Sequence, residues 1–117
     1  MSHTKVFSMQ VSKMRMSEGK SQELLIFLRM MSKKGFFIVL KYVKEQKNIS
    51  YNKVLKHAMD KKIVESMASI TIILNGLTNL GLLERSVLAS RPIRTNYRVT
   101  RNGQKVIKKF IELESLF

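Results

Sequence analysis

Between residues 85 and 109 the chain carries eight basic side chains and no acid: Arg85, Arg91, Arg94, Arg98, Arg101, Lys105, Lys108 and Lys109. A surface that serves only solubility mixes both signs, so a run of one sign is suited to an anionic partner. Five of the eight are arginine, whose flat guanidinium fork pairs with a phosphate or enters a narrow minor groove. Upstream, Ser66, Ser69, Thr71, Ile72 and Asn75, with Asn79 beyond them, lie on the outward side of an apolar helical stripe. These side chains suit the edges of base pairs. An Asn amide matches adenine N6 and N7, Ser and Thr hydroxyls reach bases or phosphates, and Ile72 offers a surface to a thymine methyl. Lys53, Lys56, Lys61 and Lys62 precede them in the chain and are of the type that clamps phosphates flanking a groove.

Other chemistry is poorly provided for. The 117 residues hold no cysteine and two scattered histidines, His3 and His57, which leaves no thiolate or histidine zinc set. The eight acids are dispersed, with no His–carboxylate grouping and no glycine-rich phosphate loop, so the expectation is a non-enzyme without metal or cofactor. With 22 Lys and Arg against eight Asp and Glu, the net charge of +14 points to a polyanion, nucleic acid ahead of an anionic membrane surface. No apolar run approaches the ~18 residues of a membrane span. The N-terminal stretch is too polar for a secretory signal, which makes the cytoplasm the expected location.

The elements that must position these residues follow from periodicity. A length of 117 residues allows one domain with a single core. Residues 1–20 read as a basic, loosely ordered arm, with a short strand over the alternating Phe7, Met9 and Val11 as the other reading. A first helix is predicted from Ser21, with Leu24, Leu28 and Met31 at helical spacing; Ser32-Lys33-Lys34-Gly35 interrupts it. A second helix spans 36–46, with Phe36, Leu40 and Val43 on one face. Ser50 caps a third helix over 51–59, which turns Val54, Leu55 and Ala58 inward. A fourth spans 65–79 on the stripe Ile70, Ile73, Leu74, Leu77 and Leu80, and Gly81 ends it. The period then changes from 3.6 to 2. Residues 83–88 and 94–99 read as a hairpin around the turn Ser90-Arg91-Pro92-Ile93. Thr100 or Asn102 caps a last helix striped by Val106, Phe110, Leu113 and Phe117.

This order of elements, with the block ASITIILNGLTNLGLLER over residues 68–85, resembles the recognition helix and first wing strand of MarR-like and HxlR-like regulators. TNYRVTRNGQKV, residues 95–106, is similar to their second wing strand and the Thr-x-x-Gly that opens the next helix. Lys34-Gly35-Phe36 leading into Ile38-Val39-Leu40 is similar to the start of the first HxlR helix. The resemblance covers residues 35–110. It implies an α+β, mainly helical fold: a winged helix-turn-helix with extra N- and C-terminal helices. The arm would occupy 1–20 and the winged helix domain 21–117, with the helix-turn-helix at about 51–80, the wing at about 83–100 and the C-terminal helix at about 102–117. It also implies double-stranded DNA binding, transcriptional regulation and a homodimer.

On that reading Ser66, Ser69, Thr71, Ile72 and Asn75 face the major groove. Arg91, Arg94 and Arg98 of the wing meet the backbone or minor groove, and Lys53, Lys56, Lys61 and Lys62 hold phosphates. Leu24, Leu28, Met31, Val106, Phe110, Leu113 and Phe117 pack against a second copy, unless the first helix folds over the last within one chain. A dimer would set two recognition helices about 34 Å apart, one helical turn of DNA, and the role expected of it is a repressor that occludes a promoter. Two departures from the MarR-like pattern matter. Ile72 stands where those proteins often carry an arginine, and Gly76 lies inside the recognition helix at a cost of about 1 kcal/mol relative to Ala. The expectation is therefore modest base reading, with most affinity from the wing. The alternative function is a winged-helix module that docks on a protein assembly. RNA ranks lower because no exposed aromatic pair offers a stacking platform.

Overall fold

The computed structural model describes the backbone of residues 7–117 and the side chains of residues 19–117. The elements run α1 (Phe7–Met31), α2 (Phe36–Gln46), β1 (Ile49–Ser50), α3 (Tyr51–Asp60), α4 (Met67–Asn79), β2 (Leu83–Leu88), β3 (Arg94–Val99) and α5 (Arg101–Glu114).

Two helices with apolar residues at spacings of 3, 4 and 7 form the centre. The α2 helix buries Phe36, Val39, Leu40 and Val43, and α4 buries Ile70, Ile73, Leu74 and Leu77. Each set falls on one face of a 3.6-residue helix. The two faces meet at Gly76, where an added Cβ would lie 2.8 Å from Cε2 of Phe36. The glycine that looked costly in the recognition helix is thus what allows this close crossing. Val54 and Ala58 close the core from α3, and Tyr42 of α2 stacks on His57 of α3 with ring centroids 3.6 Å apart.

The helix ends explain the chain's turns. Ser50 Oγ accepts from the Lys53 amide and starts α3. That helix stops in a Schellman turn: the Ile63 amide donates to the Ala58 carbonyl, and Lys62 takes a left-handed φ of 56°. The same motif ends α4, where the Leu82 amide donates to the Leu77 carbonyl and Gly81 supplies φ 76°.

The sheet is antiparallel with strand order β1-β3-β2. Tyr97 lies opposite Ile49 on one side and Arg85 on the other, and it is buried. In β2 only Leu83 is buried, so the hairpin leaves the body after its first residue. Thr100 ties the hairpin to α5: its Oγ1 donates to the Gly81 carbonyl and accepts from the Gly103 amide. The contact is tight, since a Cβ on Gly103 would lie 2.3 Å from the Leu82 carbonyl oxygen. Ile107 of α5 is fully buried, and Phe110 packs against Phe27 of α1 and Phe37 of α2 at centroid distances of 6.1 and 5.1 Å.

Three expectations need adjusting. The first helix begins at Phe7, not near Ser21, so residues 7–20 are helical and the alternative strand over Phe7, Met9 and Val11 does not form. A segment rich in Met, Lys, Gln, Arg and Glu, without proline, gives a helix no reason to stop there. Residues 1–6 of the expected arm lie outside the described residues. The recognition helix starts at Met67, because Ser66 takes the cap, and the last helix ends at Glu114.

Candidate nucleic-acid interface

Helix α4 presents one face of mixed polar and apolar residues away from the core. Ile72 and Asn75 are exposed and one turn apart, with Ile72 64% exposed, and Met67 at the start of the helix is 59% exposed. Ser69 and Thr71 are half-buried at the edge of this face. Ser66 is the N-cap: its Oγ accepts from the Ser69 amide and lies 3.1 Å from the Ser69 hydroxyl. Its oxygen therefore serves the helix first. Thr71 meets the Tyr51 phenol at 2.7 Å, a bond between the first residue of α3 and α4. Tyr51 was not among the sequence candidates. Residues 20 apart can be paired only once the helix crossing is known.

The wing adjoins this face. The Arg85 guanidinium donates to Asn75 Oδ1 at 3.4 Å, joining the base of β2 to α4. Arg91 and Arg94, at the turn and the start of β3, are exposed. Neither has an acid within ion-pair distance among the described residues. Arg98 differs, since it pairs with Glu84, its cross-strand partner. Both members are more than half exposed, which makes the pair weak and breakable. Arg94 and Lys53 line a hollow of about 410 Å³ between the start of α3 and the wing, together with Ser50, Asn52 and Pro92.

The lysines divide by position. Lys53 sits in the first turn of α3 beside the wing. Lys56 forms an exposed ion pair with Asp60 at 3.6 Å, and Lys61 and Lys62 make the turn into α4. The structure therefore makes two separate groupings, Asn75 with Arg85 and Lys53 with Arg94, with Arg91 further out on the same hairpin.

The residues expected at a dimer interface also divide. Met31 is 5% exposed in the chain's own core and is not available to a partner. Val106 and Phe110 are half-buried against that core, and Phe110 meets Phe27 of α1. The first helix thus folds against the last within one chain, at least at this contact. Leu24, Leu28, Leu113 and Phe117 remain exposed, with Leu25, Ile26, Ile111 and Leu116 nearby in sequence.

Among the described residues no group of His, Cys, Asp or Glu could hold a metal ion, and no helix is long and apolar enough to cross a membrane. Helix, short strand, helix, helix and an antiparallel hairpin folded back on β1 define a winged helix-turn-helix. Solved structures share it. The transcriptional regulator YodB from B. subtilis, in its reduced form, matches with a TM-score of 0.65 at 15% identity, over 80% of this chain and 86% of that one. A PadR family transcriptional regulator from Eggerthella lenta DSM 2243 matches with a TM-score of 0.60 at 19% identity, over 88% of each chain. At these identities the likeness is one of fold. No family model matches the chain, and no curated protein matches its sequence.

Proposed function

We propose that the chain is a double-stranded DNA-binding transcriptional regulator that acts as a homodimer and represses by occluding a promoter. The observation that carries the proposal is the junction of α4 with an arginine wing: Asn75 bonded to Arg85, and Arg94 sharing a hollow with Lys53. Helix α4 enters the major groove, with Ser69, Ile72 and Asn75 foremost and Thr71 held by Tyr51 behind them. Arg91 and Arg94 lie on the backbone or in the minor groove, and Lys53, Lys61 and Lys62 add phosphate contacts. Arg98 and Lys56 contribute less, because each already has an acid. The net charge of +14 supplies the long-range attraction. Both comparison structures are of transcriptional regulators, which supports the reading. Leu24 and Leu28 of α1, with Leu113 of α5 and Phe117 beyond its end, form the apolar surface on which a second copy packs.

A second reading has one specific observation in its favour. Met67 and Ile72 expose apolar surface, and Ile72 lines a hollow with Phe36, Ile63, Val64 and Ile73, rimmed by Lys34, Glu65 and Ser69, as a protein-docking face would. The double exchange Arg91→Glu and Arg94→Glu separates the two. Both residues are exposed, so the fold is retained. If the wing holds DNA, duplex binding is lost. Duplex binding unchanged by the double exchange would reject the wing's role and favour the docking module.

A further inference from the structure

We infer that Asn75 and Arg85 act as one reading unit that selects guanine, not the adenine that a lone Asn in the groove would favour. The inference rests on the proposed entry of α4 into the major groove. Arginine has five N–H donors and no acceptor, so the amide atom set against it must be the oxygen. Arg85 Nη1 donates to Asn75 Oδ1 at 3.4 Å. Arg85 lies opposite the buried Tyr97 in the hairpin, on the side of the sheet that faces the body, and this is how it reaches α4. The amide oxygen is thereby turned back toward the wing, and the Nδ2 hydrogens remain to face outward.

That orientation changes the code. Adenine shows a donor at N6 beside an acceptor at N7, and its paired recognition by Asn requires the amide oxygen to accept from N6. With the oxygen turned back to Arg85, the Asn75–Arg85 pair presents its N–H donors outward. Guanine presents two acceptors, N7 and O6, which match an Nδ2 hydrogen and a further N–H of the Arg85 fork. Both side chains are exposed, and among the described residues no acid lies within ion-pair distance of Arg85 to compete for it.

The test is selection of bound duplexes from a random pool by the full chain and by Asn75→Ala and Arg85→Met, with thermal unfolding to confirm that each variant is folded. The position read by the unit is the one whose preference disappears in Asn75→Ala while the others persist. At that position the unsubstituted chain should favour guanine over adenine by about tenfold or more. Arg85→Met keeps an unbranched apolar stem but removes the guanidinium, which frees the amide oxygen and should move the preference to adenine. An adenine preference in the unsubstituted chain, or a preference that Arg85→Met does not move, would overturn the inference. A pool enriched only at positions insensitive to Asn75→Ala overturns it too and leaves DNA binding intact. Failure to bind any duplex removes the proposed function and the inference with it.

Discussion

Gly76→Ala sets two effects of known size against each other. At an exposed helix position, alanine is favoured over glycine by about 1 kcal/mol. Here the new Cβ would lie 2.8 Å from Cε2 and 3.2 Å from Cζ of Phe36, with Cε of Met30 at 3.5 Å. Phe36 is 3% exposed and opens α2, so its ring has no solvent to swing into. Relief requires α4 to move off α2, and overpacking of this kind costs about 1 to 3 kcal/mol. A contact this short against a buried ring belongs in the upper part of that range. After the helix-propensity gain is subtracted, the variant should be less stable by about 1 to 2 kcal/mol. Urea unfolding should show a lower midpoint with an unchanged slope. Phe36→Leu removes the offending ring atoms, and in that background Gly76→Ala should cost less or become favourable, a coupling of about 1 to 2 kcal/mol. Stabilisation of the unsubstituted chain by Gly76→Ala, or an equal effect in both backgrounds, would mean that the Phe36 ring does not hold this position to glycine.

Gly103→Ala places a Cβ 2.3 Å from the Leu82 carbonyl oxygen, backbone that cannot rotate away, and 2.6 Å from Cγ1 of the Val99 side chain. A loss of roughly 3 kcal/mol or more is expected in the same unfolding assay. Lys62→Gly releases a left-handed residue from its φ of 56° and should raise stability by about 1 kcal/mol. If Lys62 also holds a phosphate, the same variant weakens duplex binding and reduces the salt slope by about 1. Thr100→Val removes both the cap on the Gly103 amide and the bond to the Gly81 carbonyl. Thermal unfolding should report a loss of about 1 to 2 kcal/mol.

What was legible in the sequence was what local periodicity and caps determine. The stripe of Phe36, Leu40 and Val43 set α2 at its observed bounds, Ser50 and Thr100 cap the helices assigned to them, and the change of period after Gly81 marked the hairpin. The start of α1 was not legible, because neither proline nor a glycine pair marks a boundary between Phe7 and Ser21. Met31 shows the limit of a stripe: its spacing is the same whether the residue enters its own core or a partner's. The pairs Arg98–Glu84, Arg85–Asn75 and Tyr51–Thr71 depend on hairpin register and helix crossing, which one-dimensional spacing does not contain. Each of them holds a residue that the sequence places against DNA: Arg98, Asn75 and Thr71. Gly76 is the opposite case: helix propensity counts it as a defect, and packing against Phe36 makes it a requirement.

On the proposed function, the wing and the α4 face bind duplex DNA through its phosphates. Its most direct test is the affinity of the full chain for a duplex measured across a series of salt concentrations. If about 6 phosphates are neutralised per protomer, log K should fall against log salt with a slope near −5 per protomer. A slope near zero, or tighter binding to an analogue with an uncharged backbone, would contradict the claim.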